Sequence, residues 1–449
     1  MSMMDIDKSK LVLLNDEDIV ITDIAFDSKE IGYYQDAWNR FKKNSVSVVA
    51  FVIICVLFFF VLVGPYMKSY TEPSNPADAS QLGYLPPKIK GLEKLGIFDG
   101  EKTITRGKNF ILTLYNSIYG DEVIISGVPD VLIDNDPSND DLYADISELT
   151  VRVDMYAYTN YINSYLDEFN SEDSVSKIFS KDEFETALAR NLVIDVISVS
   201  EDGNTYIARV DFFKFTLDQT SDNTYFWFGT NQTGKDLFTL LWNGARISLV
   251  MAVTVVIINS IVGLTLGAVA GYYGGTFDLF FDRFVEILGG IPFMAVLTLL
   301  IIRYGSATWV IVIAFTVTGW IGSYAMARMQ FYRFKNREYI LAARTLGAKD
   351  SRIMFKHIFP NAIGYMVTTF ALAIPSFVFT EASFAYLGII NYTDAVSVGM
   401  LLEQGQKVMQ NQPHLLVFPA LYIAILMITF NLFGNGLRDA FNPSLRGTE

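Results

Sequence analysis

The sequence predicts an all-α integral membrane protein of six transmembrane helices, with an extracytoplasmic α+β domain inserted after the first. Of the 449 residues, 51% are hydrophobic, and many stand in runs near the length of about 20 that a helix needs to cross a bilayer. The net charge of −14 is unevenly divided, since residues 71–240 hold 29 acidic and 13 basic side chains and the rest of the chain holds 19 and 21. The acidity therefore belongs to one water-soluble segment.

The N-terminal part, residues 1–44, is predicted to be a cytoplasmic tail followed by a helix at the membrane interface. Its first 30 residues are polar and weakly periodic, so no fold is assigned to them. Farther on, Trp38 and Phe41 alternate with basic residues at near-helical spacing, which is typical of interfacial helices and also of amphipathic core helices. An apolar run then predicts the first transmembrane helix at 45–67. It begins too far from the N-terminus for a cleaved signal peptide.

Five apolar runs downstream predict the remaining spans at 247–270, 284–302, 307–326, 363–387 and 415–433. Their orientation follows from the basic residues, since eight lysines and arginines crowd residues 328–356 and three more precede the first span. Loops rich in Lys and Arg stay on the cytoplasmic side. We therefore expect both termini and the 333–362 loop in the cytoplasm, and residues 68–240 and 388–414 outside.

Residues 68–240 are predicted to form the extracytoplasmic insert domain and its linker. Residues 122–133 and 192–215 are rich in β-branched and aromatic residues, which predicts strands. Glu-Asp-Gly-Asn at 201–204 predicts a hairpin turn. Residues 156–169 and 181–189 are helical in pattern. We expect a small α+β domain, and long loops cross membranes largely regardless of their charge.

A polar, basic stretch at 337–362 stands between two predicted spans, so it faces water and is suited to contact another molecule. Its first part predicts a short helix with a small apolar face, formed by Tyr339, Ile340, Leu341, Ala342, Ala343 and Leu346. Gly347 follows as a left-handed C-cap, where we expect no room for a β-carbon. Asp350 or Ser351 is expected to cap a second helix, which Pro360 ends. The alternative is a solvated connector whose glycine merely terminates a helix.

The alanine pair, the glycine and the closing Ile-Phe-Pro of this stretch resemble the EAA loop of ABC importer membrane subunits, which docks into a groove on the ATPase subunit. The matching residues are Ala342, Ala343, Gly347, Ile358, Phe359 and Pro360. Two positions depart from the motif, since Leu341 stands at its glutamate and Phe359 at its usual leucine. The small residues that allow close docking are retained.

The resemblance continues outside this loop. Residues 228–249 are similar to the segment that opens the common core of oligopeptide and dipeptide permease subunits, with Asn231 at a usual aspartate and Lys235 at a usual arginine. Further similar segments are 31–70, 289–292, 380–383 and 430–446, the last with Asn435 and Asn442 at two usual aspartates. The insert lies outside the common family pattern.

The resemblance, to the C-type subunit of this family, implies the ABC importer type I permease fold around a five-helix core at 241–449. It implies ATP-driven import of oligopeptides or dipeptides, with ATPase contacts at Tyr339, Leu341, Ala342, Ala343, Leu346, Gly347, Ile358 and Pro360. The implied partners are a second homologous permease subunit, two ATP-binding subunits, an extracytoplasmic peptide-binding protein and membrane lipid, at the bacterial cytoplasmic membrane. ATP and magnesium would be bound by the ATPase subunits, so this chain is expected to hold no cofactor, to catalyse no reaction and to bind no nucleic acid.

Glu381 is an acid deep in an otherwise apolar predicted span. Ionisable groups inside a bilayer usually face a cavity or a partner, so a contact with the amino group of a peptide and a structural hydrogen bond to a neighbouring helix both stay open. Together with Ser383 and Asn259 it makes up the predicted translocation pathway. Charged residues at the start of the third span are expected to be interfacial or mutually paired, namely Asp282, Arg283 and Glu286.

Motifs that could indicate a nucleotide site, a metal site or a disulfide are incomplete in this chain. The glycine-lysine pattern at 229–235 is similar to a phosphate loop, but Asp236 replaces the residue that would bind magnesium, and the pattern lies on the outer side. The acids at 134–145 lack the glycine and the final glutamate of a calcium loop, so we expect an acidic surface turn.

The single Cys55 excludes an intrachain disulfide. His357 and His414 are too far apart in the topology to share a metal.

Two other classes of function stay open at this stage. A self-sufficient channel or secondary transporter would have no purpose for a coupling loop, and the spans carry few ion-pathway residues. A membrane-anchored receptor would use the outer domain as its working part. Within the permease family, nickel complexes are an alternative cargo to peptides.

Overall fold

A computed structural model of the protein describes residues 33–68, 70, 72–73, 75–117, 119–129, 147–165 and 176–441. The predicted N-terminal tail, the acidic turn at 134–145 and the end of the C-terminal permease signature lie outside the described residues. All helices and strands named here lie within the described residues.

The chain enters through two helices and then forms the insert. These elements are α1 (Tyr33–Lys43), α2 (Ser45–Val63), α3 (Pro76–Gln81), β1 (Glu101–Gly107), α4 (Lys108–Tyr115), α5 (Gly120–Val123), β2 (Ile124–Ser126), β3 (Glu148–Asp154), α6 (Met155–Ser164), β4 (Ser176–Ser180), α7 (Lys181–Ala189), β5 (Val193–Val199), β6 (Thr205–Val210) and α8 (Phe212–Leu217). The membrane core follows, with α9 (Leu237–Tyr273), α10 (Gly275–Gly289), α11 (Phe293–Tyr304), α12 (Thr308–Gly319), α13 (Ile321–Phe334), α14 (Glu338–Thr345), α15 (Asp350–Arg352), α16 (Phe359–Tyr386), α17 (Val398–Lys407) and α18 (His414–Phe441).

Among the described residues, five helices are long and apolar enough to cross a membrane, or six if one bent pair is counted as a span. The five are Ser45–Tyr66, Leu237–Tyr273, Thr308–Phe334, Asp350–Tyr386 and His414–Phe441. Five of the six predicted spans lie within these helices to within one residue at their ends. The mostly helical membrane architecture expected from the apolar runs is therefore present.

The third predicted span, 284–302, is not one helix. α10 ends at Gly289, α11 begins at Phe293, and the two helices are bent by 68°. Pro292 has no N–H to donate and its ring would clash with the preceding turn, while Gly290 has little preference for helix. The glycine-proline motif therefore breaks a span that its apolar composition predicts as continuous.

Side chains fix both ends of the first span. The side-chain oxygen of Asn44 accepts from the N–H of Ser47 at 3.2 Å and caps the start of α2. At the other end, the guanidinium of Arg246 donates to the carbonyl oxygens of Val61 and Leu62 at 3.1 and 3.2 Å. Pro65 cannot bond back to Val61, so a charged side chain of α9 satisfies the carbonyl and joins the two spans.

A row of glycines lets α9 and α13 approach closely. Gly263, Gly267 and Gly271 are four residues apart and share one face of α9. A β-carbon on Gly267 would lie 2.3 Å from the carbonyl oxygen of Tyr324, and one on Gly271 would lie 2.6 Å from that of Arg328. The backbones can meet at this distance only because these positions carry no side chain.

The described part of the insert folds as two small antiparallel sheets, ordered β1-β3-β2 and β4-β6-β5, with helices packed on them. The predicted hairpin is confirmed, since β5 and β6 pair and the N–H of Ser200 donates to the oxygen of Thr205. The helix predicted over 181–189 is α7, and the one predicted over 156–169 corresponds to α6, which ends at Ser164; residues 166–169 lie outside the described part.

The strand predicted over 122–133 is much shorter than expected within the described residues. Residues 120–123 form the helical turn α5, and β2 has three residues. Asp121 and Glu122 stand in the first turn of α5, where a helix stabilises negative charge, so that the strand begins only at Ile124.

The insert leaves the chain and rejoins it at one point. The N–H of Lys88 donates to the carbonyl oxygen of Phe226 at 2.9 Å, so the two ends of the insert are adjacent. Just outside, the N–H of Leu85 donates to the hydroxyl of Thr230 at 2.8 Å. A domain with adjacent ends can occupy a surface loop without disturbing the remaining fold. The predicted segment 68–240 thus includes linkers on both sides of the insert.

Candidate functional site

The coupling segment, residues 337–362, turns at a glycine between two helices. After α14 ends, Gly347 has a φ of +80°, which confirms the predicted left-handed C-cap. The N–H of Ala348 donates to Ala343 and that of Gly347 to Arg344, both at 3.0 Å, which is the Schellman pattern. No described atom lies within 4 Å of where a β-carbon of Gly347 would stand, so the expected lack of room is wrong. The backbone conformation, and not crowding within this chain, requires the glycine.

The second half of the segment does not end at Pro360. Asp350–Tyr386 is one continuous helix in which a π-helical turn, Ile353–Ile358, joins α15 to α16. The N–H of Phe359 reaches back five residues to the oxygen of Met354. Pro360 follows directly after this π-helical turn, where the backbone hydrogen bonds are already shifted from the α-helical pattern, so the helix continues past a residue without an N–H. The prediction of a helix end at Pro360 is therefore wrong.

The inward side of the coupling segment is anchored on the end of α9. Ile340, Ile353 and Ile358 are buried in one apolar cluster with Tyr272. Ile358, predicted as an ATPase contact, therefore holds the segment in place and does not face outward. The burial of these residues leaves the opposite side of the segment as its contact surface.

Tyr272 also bonds to both arms of the segment. Its hydroxyl donates to a carboxylate oxygen of Asp350 at 2.5 Å and accepts from the guanidinium of Arg344 at 3.4 Å. The helix cap predicted for Asp350 or Ser351 is not formed, because α15 begins after Lys349 and Asp350 is directed to Tyr272. Sequence reasoning missed Tyr272, which lies at the end of an apolar span.

The outward side of the segment is apolar and exposed. Leu346 is 88% exposed, and Phe355, which the motif did not include, is 72% exposed. Of the predicted coupling residues, those exposed are Tyr339, Leu341, Ala342, Leu346, Gly347 and Pro360, while Ala343 is half-buried. Partial burial raises the pKa of the Tyr339 phenol above its ordinary value. Such a face in a water-exposed loop fits a protein partner.

A polar cluster beside the segment was also missed. Arg328 donates to both carboxylate oxygens of the buried Asp278, at 2.6 and 2.8 Å, and pairs with Asp282 at 3.1 Å. Lys335 donates to the carbonyl oxygen of Gly271 at 3.0 Å. Arg328 and Lys335, two of the basic residues from which the cytoplasmic side was predicted, thus also have a structural role. The expected pairing near the third span is confirmed, because Arg283 also bonds to Glu286.

Glu381 lies in the helical core. Its side chain is 0% exposed and accepts hydrogen bonds from the hydroxyls of Ser248 on α9 and Tyr392 beyond α16, both at 3.0 Å. Ser397 is a third side-chain partner. This is the interhelical bonding that stood as the alternative to a peptide contact. In this structure the carboxyl group cannot reach a cargo molecule.

The other two predicted pathway residues lie in different surroundings. Ser383 lines an apolar groove of about 740 Å³ between α16, α17 and α18, together with Phe379, Tyr386, Leu402, Ala420 and Met427. Asn259, on α9, donates to the carbonyl oxygen of Phe315 on α12 at 3.4 Å. The structure therefore does not bring Glu381, Ser383 and Asn259 together as one site.

The loop at 229–236 forms a helix start. The side chain of Asn231 accepts from the N–H groups of Thr233 and Lys235, at 3.0 and 2.9 Å, and closes a turn. Asp236 then caps α9, accepting from the N–H groups of Phe238 and Thr239. In the described part of the chain, no three His, Cys, Asp or Glu side chains gather as a metal site.

Two protein-family models match the chain on either side of the insert. The model of the binding-protein-dependent transport system inner membrane component matches residues 263–447, which include the coupling segment. The model of the N-terminal TM domain of oligopeptide transport permease C matches residues 32–87. It ends next to Lys88, where the insert leaves the chain, whereas the first match begins at residue 263, inside α9. Both matches therefore lie outside the insert.

Individual relatives agree with these models. The oligopeptide transport system permease protein OppC of Bacillus subtilis (strain 168) is 40% identical over 220 residues, covering 49% of this chain and 72% of that protein. The dipeptide transport system permease protein DppC of the same strain is 39% identical over 221 residues, covering 49% and 69%. DppC of Lactococcus lactis subsp. cremoris (strain MG1363) is 25% identical over 415 residues, covering 92% and 91%, an extent that includes most of the insert. This chain therefore belongs to the inner membrane components of binding-protein-dependent transport systems, in the group of the oligopeptide and dipeptide permease proteins.

Proposed function

We propose that the chain is one of two membrane subunits of an ATP-driven importer that moves oligopeptides or dipeptides delivered by an external binding protein. The peptide cargo is supported by the relatives, which are named as oligopeptide and dipeptide permease proteins. The partners are a second homologous permease subunit and two ATPase subunits, which bind ATP and magnesium. This subunit contributes the translocation path for the peptide and the coupling contact, and the ATPase subunits hydrolyse ATP.

The shape of the coupling segment carries this proposal. Its inward side is fixed on Tyr272 and the apolar cluster, and its outward side holds exposed apolar residues around a left-handed glycine. Exposed basic side chains border that side, namely Arg333, Arg337, Lys349, Arg352 and Lys356. A surface of this kind is stable without a partner and yet is suited to bind one.

Movement of the segment has a direct route into the membrane. When the ATPase subunits close, they displace α14 and α15, and the bonds of Tyr272 pass that displacement to α9. That helix is continuous over 37 residues, a length of about 55 Å at 1.5 Å per residue. Its far end is capped by Asp236 beside the insert junction, so one rigid element connects the coupling segment with the outer side. Both termini and the segment are cytoplasmic in this proposal.

For the cargo path, Ser383 is the predicted residue that the geometry favours, because it lines the groove between α16 and α18. The groove is mostly apolar, which suits peptides of varied side chains. Glu381 supports the wall of this region from behind.

The test is to replace Gly347 in the assembled transporter and to measure peptides imported per ATP hydrolysed. Gly347→Val should uncouple hydrolysis from uptake, because a β-branched residue does not adopt a φ near +80°. Gly347→Asn is the matched control, since asparagine tolerates that conformation and the chain itself leaves room for its side chain. Loss of coupling in both variants would mean that the partner contacts the backbone of Gly347 directly. Normal coupling in Gly347→Val, and in Ala343→Asp on the same surface, would contradict the proposal.

A further inference from the structure

A short hairpin at the start of the insert exposes apolar side chains. Residues 88–99, which we call the outer hairpin, double back through an antiparallel bridge between Lys88 and Asp99, and the N–H of Ile89 donates to the oxygen of Phe98 at 2.9 Å. At its tip Leu95 is 71% exposed and Ile97 is 53% exposed. Leu92 and Phe98 are exposed as well.

This exposure is built into the backbone. Phe98 has a φ of +53°, a conformation that is uncommon for a bulky residue and that persists only where the surroundings impose it. The base of the hairpin is held by two ion pairs. Lys88, which is buried, pairs with Asp154 at 3.3 Å, and Asp99 pairs with Arg152 at 2.9 Å. A strained and doubly anchored hairpin with an exposed apolar tip indicates a contact outside this chain.

The outer hairpin stands against the end of a membrane-spanning helix. The ring of Phe98 lies 6.0 Å, centroid to centroid, from that of Phe418 in the second turn of α18. Beside Phe418, an exposed apolar stripe runs along α18 at Val417, Leu421, Ile425 and Leu432. The tip of the hairpin therefore continues, at the outer end of α18, a surface that has the character of a lipid-facing one.

We propose that the outer hairpin is anchored in the outer face of the bilayer. Leu92, Leu95 and Ile97 enter the region between head groups and acyl chains, and Lys90 and Lys94 stay at the level of the lipid phosphates. Both lysines are exposed, and a lysine can lay its stem on apolar surface while its ammonium group stays in the polar layer. The partner is thus lipid with an anionic head group.

The anchor attaches the insert to the membrane itself. Within the chain the insert is held at its junction, at Lys88 and Phe226, and by the ion pair of Lys177 on β4 with Asp78 on α3. The remainder of the acidic insert is repelled by anionic lipid, whereas the hairpin tip carries Lys90 and Lys94 beside the single acid Glu93. Attraction at the tip and repulsion elsewhere would hold the domain upright above the membrane.

The test places a fluorophore on Leu95→Cys, in a Cys55→Ala background because Cys55 is exposed. Ile178→Cys, a similarly exposed site on β4, is the control. The complete chain is placed in nanodiscs of phosphatidylglycerol and phosphatidylcholine, with and without lipid brominated near the top of the acyl chains. We expect several-fold stronger quenching at position 95 than at position 178. Lys90→Glu with Lys94→Glu should reduce that quenching in the anionic nanodiscs and leave it unchanged in pure phosphatidylcholine.

Equal or weaker quenching at position 95 would overturn the proposal. So would a cross-link from position 95 to another protein subunit of the purified transporter, which would make the hairpin a subunit contact. Neither result depends on the cargo or on coupling to ATP. Failure of the anchor and failure of the proposed transport function are therefore distinguishable.

Discussion

One hydroxyl group, that of Tyr272, joins α9 to both arms of the coupling segment. Because Asp350 and Arg344 stand on opposite sides of Gly347, the bonds from Tyr272 keep the angle between α14 and α15 constant. Tyr272→Phe should keep the ring in its apolar cluster and remove both bonds, at a cost of about 1 kcal/mol in the local stability of the segment. We expect fewer peptides imported per ATP hydrolysed and faster hydrogen exchange in residues 338–352.

The neighbouring residue supplies the control for this prediction. Tyr273 is exposed, and within the described residues its hydroxyl has no hydrogen-bond partner. Tyr273→Phe should leave both the import ratio and the exchange rates unchanged. If the two variants behave alike, Tyr272 acts through its ring alone and does not position the segment.

Glu381 is expected to act through packing. Glu381→Ala would leave the buried hydroxyls of Ser248 and Tyr392 without their acceptor, which should lower the free energy of unfolding by about 1–3 kcal/mol. Glu381→Gln retains one acceptor oxygen and should cost less. Uptake of peptides with a free amino terminus and of acetylated peptides should fall equally in both variants. A loss confined to the free-amino peptides, with unchanged thermal unfolding, would restore the cargo contact.

At the scale of elements, the glycine row makes α9 and α13 one packed unit. A methyl group on Gly267 would stand 2.3 Å from the carbonyl oxygen of Tyr324, well inside contact distance, so the helices must separate or shift. Gly267→Ala should therefore reduce the free energy of unfolding by about 1–3 kcal/mol, the usual cost of overpacking. Thermal unfolding of the detergent-solubilised chain would measure it.

Gly322 is the matched control, because it is also helical, lies on α13, and has no described atom within 4 Å of a β-carbon. Gly322→Ala should be neutral or slightly stabilising, since alanine favours helix over glycine. Equal destabilisation by both substitutions would contradict close packing at Gly267 as the cause of the loss, because a β-carbon on Gly322 meets no described atom.

The bend of the third span belongs to the same scale. Its apolar composition is that of a membrane helix, and the two glycines and Pro292 stop it locally. Bends of this kind at membrane depth are tolerated only where the freed backbone groups are buried in protein or line a cavity. The position of the break therefore marks a part of the core that faces protein or water.

At the scale of the whole molecule, the acidic insert should act in docking of the binding protein. A domain of this charge above the outer side attracts a basic or polar surface on its partner. Replacing residues 89–225 by a short Gly/Ser linker is geometrically feasible, because Lys88 and Phe226 are hydrogen-bonded to each other. Membrane insertion and basal ATPase activity of the assembled transporter should be retained. Stimulation of ATPase activity by loaded binding protein should decrease.

Salt gives the second measurement for the insert. In the intact transporter, stimulation should weaken as salt rises, because exposed charges are screened beyond about 8–10 Å at physiological ionic strength. The shortened variant should show less of this dependence. Unchanged stimulation and unchanged salt dependence after the replacement would exclude a docking role and favour a contact between the insert and the second permease subunit.

Much of the coupling segment could be predicted because its signals are local. Gly347 was placed in the left-handed region from its position after a short helix, and φ depends on the residue and its immediate neighbours. The direction of each side chain could not be predicted in this way. Ile358 and Tyr339 were both predicted to contact the ATPase subunit. Ile358 is buried against α9 and Tyr339 is exposed, because α9 covers only one side of the segment.

By itself, the sequence determined that the chain is a permease of mostly helical architecture, the order of its apolar spans, the presence of the insert and the glycine turn of the coupling segment. The permease assignment rests on the resemblance of several motifs to a known family. The other features follow from run length, charge distribution or turn residues, which a short window of sequence contains. Only the tertiary structure decided that Glu381 bonds to Ser248 and Tyr392, that Asp350 bonds to Tyr272, and that the outer hairpin reaches Phe418. These contacts join residues that are distant in the chain or lie on different elements, and which of them meet depends on how all the helices pack together.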